Sequence, residues 1–101
     1  MTFLAAPPRL SERAFMAQVV RLAELFHWRV YHTLRSEGSA AGFPDLVLVR
    51  RPRVVFAELK AQRTPVTDDQ RDWHRELRAC DQEAYIWRPS DWATIEKVLA
   101  R

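Results

Sequence analysis

Residues 42–60 read Gly42-Phe43-Pro44-Asp45-Leu46-Val47-Leu48-Val49-Arg50-Arg51-Pro52-Arg53-Val54-Val55-Phe56-Ala57-Glu58-Leu59-Lys60. Two runs rich in Val, Leu and Phe flank a short basic turn and are bounded by Pro44 and Pro52. This predicts strands over 45–50 and 53–60 rather than helix. Side chains alternate faces along a strand, so Asp45, Val47 and Val49 share one face, and Val54, Phe56, Glu58 and Lys60 share one face. With the turn centred near Arg51-Pro52, Asp45 falls opposite Glu58. Two carboxylates and a lysine then meet at one end of an otherwise apolar hairpin. A carboxylate among Val and Phe is costly to desolvate, and two side by side repel. A raised pKa, a cationic partner or a bound metal relieves that conflict, and a hard divalent cation takes oxygen ligands while keeping waters. The pattern predicts a metal–carboxylate site with Lys60 beside it. The blander account is a structural ion triad, but a buried triad is weak grounds for stability.

Outward from the hairpin, Ser11 is a good N-cap and Glu12 follows in the first turn, where a negative charge suits the helix dipole. Phe15, Val19, Leu22 and Phe26 recur at helical spacing as a buried stripe, with Glu12 one turn before it. Residues 28–33 read as a first strand and 34–43 as a polar loop containing both glycines. Downstream, Thr67 opens a helix, and Thr67-x-x-Gln70 satisfies the capping-box pattern. Trp73, Leu77 and Cys80 form the expected buried face of that helix. A strand at 83–87 puts Tyr85 and Trp87 on one face. Arg88-Pro89-Ser90 ends it and caps a last helix over 91–100, packed through Trp92, Ile95, Val98 and Leu99. The order is αβββαβα, which predicts an α/β fold with a mixed sheet flanked by helices. Residues 1–10, with Pro7-Pro8, read as a flexible arm and 11–101 as one domain. Arg50, Arg51 and Arg53 crowd the hairpin tip, read either as a solvated turn that discourages aggregation or as a phosphate contact.

The 101 residues suit one small globular domain, with 48% hydrophobic residues, 11% aromatic and two glycines. The net charge of +3 and pI near 9.6 permit a polyanionic partner without requiring one. Cys80 is the single cysteine, so it forms no internal disulfide and is expected as a small buried hydrophobe; no Cys/His cluster has zinc spacing. No run reaches membrane-spanning length, and the first ten residues lack the features of a signal peptide. The expected compartment is the cytoplasm.

The signature Pro44-Asp45 followed by Glu58-Leu59-Lys60 resembles the PD-(D/E)xK nuclease superfamily, whose core is the restriction-endonuclease-like fold. The longer phrase Gly42-Phe43-Pro44-Asp45-Leu46, then Glu58-Leu59-Lys60, then Gln70, resembles the VRR-NUC family, the virus-type replication-repair nucleases, in particular their small stand-alone phage-type members. The resemblance covers about residues 11–100. It implies a homodimeric endonuclease that needs Mg2+ or Mn2+ and acts on branched DNA, such as four-way (Holliday) junctions, in a bacterial or phage-infected cell. It implies that Asp45 and Glu58, with the backbone carbonyl of Leu59, hold the metal, and that Lys60 orients the attacking water or stabilises the growing charge. It places Glu12 and Gln70 in the active site as well. For Glu12 the alternative is a plain helix-start charge. For Gln70 the alternative is the capping box, and one side chain is not expected to serve both. His27 stands where relatives often carry glycine.

Arg35, His32 and Arg63 are the candidate DNA-phosphate contacts, His32 alternatively being a packing residue. The chain offers no separate base-reading module, so recognition by shape and phosphate is expected rather than sequence-specific cutting. Two other readings use the same residues: a flap or nicking nuclease within a larger replication-repair complex, and a non-catalytic DNA-binding module of the same fold.

Overall fold

The computed structural model describes residues 10–33 and 38–101. Arg35 and the arm up to residue 9 lie outside them, and Leu10, the last arm residue, packs against the core. The first helix, α1 (Glu12–Leu25), starts where Ser11 Oγ accepts the Ala14 N–H at 3.1 Å. It buries Phe15, Val19 and Leu22. It ends at Leu25 with Phe26 as C-cap, and His27 just beyond holds φ 69°, a left-handed conformation that favours glycine. The strands β1 (Arg29–His32), β2 (Leu46–Arg50) and β3 (Arg53–Leu59) form an antiparallel meander. The second helix, α2 (Asp68–Ala79), then crosses over so that β4 (Glu83–Trp87) lies parallel to β3. Adjacent parallel strands need such a crossover. A 3-10 turn over Pro89–Asp91 leads into α3 (Trp92–Ala100). The sheet order β1-β2-β3-β4 is therefore mixed, flanked by helices. No helix of the described residues is long and apolar enough to cross a membrane.

The register explains the two faces. Leu46 pairs with Ala57 and Leu48 with Val55, and all four side chains are fully buried. They pack with Phe15, Val19, Leu22, Trp28, Ile95 and Leu99 in a core beneath α1 and α3. The opposite face carries Tyr31, Val47, Val49 and Phe56 and takes α2. That helix buries no residue completely. Here the expected buried face fails: Trp73 and Leu77 are half-buried and Cys80 is exposed. Cys80 lies on the apolar stripe by spacing but is the C-cap. Its N–H bonds the Glu76 and Leu77 carbonyls at 3.1 Å, and Asp81 at φ 61° turns the chain away, so no sheet surface remains beneath it.

The basic hairpin tip also differs from expectation. Arg50 donates to the Phe26 carbonyl at 2.9 Å, to the Leu99 carbonyl at 3.0 Å and to the Arg101 carbonyl, and stacks 4.5 Å over the Trp28 ring. Arg53 donates to the Arg101 carbonyl at 2.7 Å and pairs with both oxygens of Glu83, each at 2.7 Å. The last carbonyls of a helix lack intrahelical donors and carry the negative end of its dipole, so two guanidiniums settle there. Only Arg51 of the three is exposed.

Candidate active site

The two-residue turn at Arg51-Pro52 fixes the hairpin register, and Leu46 opposite Ala57 puts Asp45 opposite Glu58 one step further along. Both acids lie on the α2 face. Asp45 Oδ2 accepts the Leu59 N–H at 2.9 Å, which orients its carboxyl toward the end of β3. Glu58 is 5% exposed and Lys60 6%. The Lys60 N–H bonds the Trp87 carbonyl at 2.9 Å, holding the end of β3 against β4.

Burial drives the electrostatics. Desolvation, then the Asp45 charge, pushes the Glu58 carboxyl up to about 8, against the pull of Lys60. Asp45 is raised too, first by burial and also by the Glu12 charge, against the Leu59 hydrogen bond and Lys60. Glu58 Oε1 is buried with no donor among the described residues, while its Oε2 accepts from Gln70 Nε2 at 2.8 Å.

Gln70 forms the cap and at the same time touches Glu58. Its Oε1 accepts the Thr67 N–H at 2.9 Å while Thr67 Oγ1 accepts the Gln70 N–H at 3.2 Å, a complete capping box. Its Nε2 remains for Glu58. A carboxamide has an acceptor end and a donor end, and the two jobs use one each. What brings α2 this close is Gly42. It sits at φ +85°, and a Cβ there would lie 2.4 Å from the Asp69 carbonyl carbon and 2.6 Å from the Gln70 nitrogen. No side chain fits that crossing.

Glu12 reaches the same end of the sheet. Its Oε1 accepts the Ala61 N–H over a long 3.4 Å. The structure thus brings Asp45, Glu58, Lys60, Gln70 and Glu12 together. His32 is not in that group: it is exposed and pairs with Leu46, which faces the core, so its side chain leaves the sheet on the side away from Asp45. Arg63 is exposed on the loop after Lys60. Arg88 anchors that loop by donating to the Ala61 and Gln62 carbonyls at 2.7 and 3.2 Å, a role the sequence did not reveal. Sequence reading also missed the aromatic group of Tyr31, Phe43 and Trp73 beside Asp45, because Trp73 reads as core by its spacing.

The side-chain oxygens that meet at this end of the sheet are those of Asp45, Glu58 and Glu12. Among the described residues no group of three or more His, Cys, Asp or Glu side chains is arranged to hold a metal ion.

A mixed sheet flanked by helices in the order αβββαβα, with a paired acid and a lysine at its end, is consistent with a nuclease-type domain. Within that class the VRR-NUC domain model matches residues 10–90, and the chain belongs to the VRR-NUC family. No curated protein and no solved structure matches the chain.

Proposed function

We propose that this nuclease domain is a divalent-cation-dependent DNA endonuclease selective for branched structures such as four-way junctions, working as a homodimer. One observation supports the cation dependence: the buried Glu58 carboxyl lies beside the half-buried Asp45, and its Oε1 has no hydrogen-bond donor among the described residues. An all-oxygen set of this kind fits Mg2+ or Mn2+, which Asp45, Glu58 and the Leu59 carbonyl would hold. Such an ion, when bound, supplies acidified water and neutralises charge on phosphoryl oxygens.

The remaining work belongs to the chain. The Leu59 N–H fixes one oxygen of Asp45, and Gln70 fixes one oxygen of Glu58, so each acid keeps a second oxygen to present. The Lys60 ammonium offsets the acid pair and stands ready to orient the attacking water or stabilise the pentavalent phosphate. Burial of Glu58 and Lys60 limits bulk water around the reacting phosphate, which strengthens these interactions. A two-fold dimer would offer one site to each of two strands of a junction.

The test is cleavage of duplex, single-stranded, flap and four-way-junction DNA with Mn2+ and with a chelator, alongside sedimentation with and without junction DNA. Paired cuts in the junction by a dimer, lost with chelator, are expected. A monomer that cuts flaps points instead to a flap or nicking nuclease. Metal-independent binding with no cleavage on any substrate overturns the enzyme reading.

A further inference from the structure

Beside the acids, on the same sheet face, lies an open pocket of about 260 Å3 whose walls include Tyr31, Phe43 and Trp73, with Thr33 and Ser39 contributing hydroxyls. Its place relative to the site follows from register. Tyr31 pairs with Val47, and the Thr33 N–H bonds the Asp45 carbonyl at 3.0 Å. Tyr31 therefore stands one same-face step from Asp45, roughly 7 Å along the strand. The walls are set in advance. Phe43 meets Trp73 edge-to-face at 5.1 Å and Phe56 at 6.3 Å, and Trp73 Nε1 donates to the Ala41 carbonyl at 3.1 Å. Tyr31, by contrast, is 62% exposed, a large ring left in solvent.

We infer that this pocket takes an unpaired nucleobase of the DNA strand next to the phosphate being cut. The inference rests on the nuclease reading of the neighbouring acids and extends it to a feature of the substrate. Among the described residues the lining has aromatic faces and hydroxyls but no charged side chain. That chemistry suits a flat, polar-edged ring and not a phosphate, which needs cationic or clustered N–H donors. Its volume lies below the roughly 300 Å3 at which pockets for larger organic ligands begin, so it admits little beyond one ring system. Bases stack on aromatic side chains without regard to sequence, each stack contributing about 1–3 kcal/mol. A base can enter only if it is unpaired. The pocket thus supplies a physical reason for preferring flaps, junction centres and single strands over duplex.

The test uses the full chain in chelator, with oligonucleotides carrying the fluorescent base 2-aminopurine at successive positions around a flap or junction. Quenching at one unpaired position is expected. Tyr31→Ala should abolish it and weaken binding of the flap about 5- to 100-fold while leaving blunt duplex unchanged, and Tyr31→Phe should restore both. Equal effects on flap and duplex, or none, overturn the inference. So does a shift of Tyr31→Ala from dimer to monomer in sedimentation, which would make this face an interface between two copies. Cleavage by wild-type protein with Mn2+ is followed in parallel. Normal cutting with an inert Tyr31 sinks the pocket alone, whereas quenching without any cutting sinks the nuclease reading alone.

Discussion

Gln70 donates from Nε2 to Glu58 Oε2 at 2.8 Å while its Oε1 caps its own helix through the Thr67 N–H. Start of helix and orientation of the acid are thereby one device. Two substitutions separate its functions. Gln70→Ala removes both ends and should lower stability by about 1 kcal/mol, the usual worth of a cap interaction, as well as cleavage. Gln70→Glu keeps an acceptor for the Thr67 N–H but sets a third carboxylate against Glu58. Its cleavage should fall about 10- to 100-fold, as for other residues that orient ligands, with the cap retained. Thermal melts and Mn2+-dependent cutting of the same two proteins check this; a Gln70→Glu protein that cuts normally contradicts the positioning role.

Gly42 makes a separate prediction. A methyl group there meets the Asp69 carbonyl carbon at 2.4 Å, whereas at Gly38, also at positive φ, it meets nothing within 4 Å among the described residues. Gly38→Ala therefore carries backbone strain alone, about 1–2 kcal/mol. Gly42→Ala carries that strain and also forces α2 away from the hairpin, moving Gln70 off Glu58. It should cost more stability than Gly38→Ala in urea titrations, and it alone should lower cleavage by that route.

Lys60 faces the acid pair through its charge and makes no ion pair within 4.0 Å among the described residues. Lys60→Met keeps the buried stem and deletes the charge. The folded protein should persist, since no hydrogen-bonded partner is orphaned, and cleavage should be lost. Circular dichroism and a junction-cutting assay read the two halves separately; cutting at the wild-type rate would refute the assigned role.

What could be read from residues alone was local. The hairpin was legible because a two-residue turn and strict alternation leave one register, and that register alone puts Asp45 opposite Glu58. The cap at Thr67 was legible for the same reason: it spans three residues. The partners of Arg50 and Arg53 were not, since their acceptors lie from 24 to 51 residues away and sequence spacing says nothing about them. Cys80 shows periodicity running past its support: the stripe continues in sequence while the helix stops. Gln70 shows chemistry running past spacing, because both ends of an amide can be used only once the fold brings Glu58 to it.

The arginines of the hairpin tip give a prediction about what does not bind DNA. Arg50 closes the carbonyls of α1 and α3 and stacks on Trp28, so Arg50→Met should destabilise by roughly 1–3 kcal/mol, the range for lost hydrogen bonds from a charged group. It should leave the salt dependence of DNA binding unchanged, because a guanidinium already bonded to carbonyls releases no counterions from phosphate. A reduced salt slope in Arg50→Met with unaltered melting would show the opposite assignment.

Glu58 sets the dependence on pH. Its carboxyl is raised from about 4.5 when unfolded to about 8 in the fold, chiefly by burial and by Asp45. The folded protein therefore holds a proton that the unfolded chain has released throughout that interval. The stability this group contributes is complete below pH 4.5 and declines as pH rises toward 8. Glu58→Gln removes the titration. In chelator it should match wild type near pH 4 and exceed it increasingly up to pH 8, by an amount on the order of a few kcal/mol at most. Added Mn2+ should reverse the order at high pH, since the cation favours the ionised acid and has less to bind in the variant. Melting temperatures of both proteins across pH 4–9, with and without Mn2+, decide it. Parallel curves in chelator would mean that Glu58 is ionised in the fold at neutral pH and that its burial is not what tunes the site.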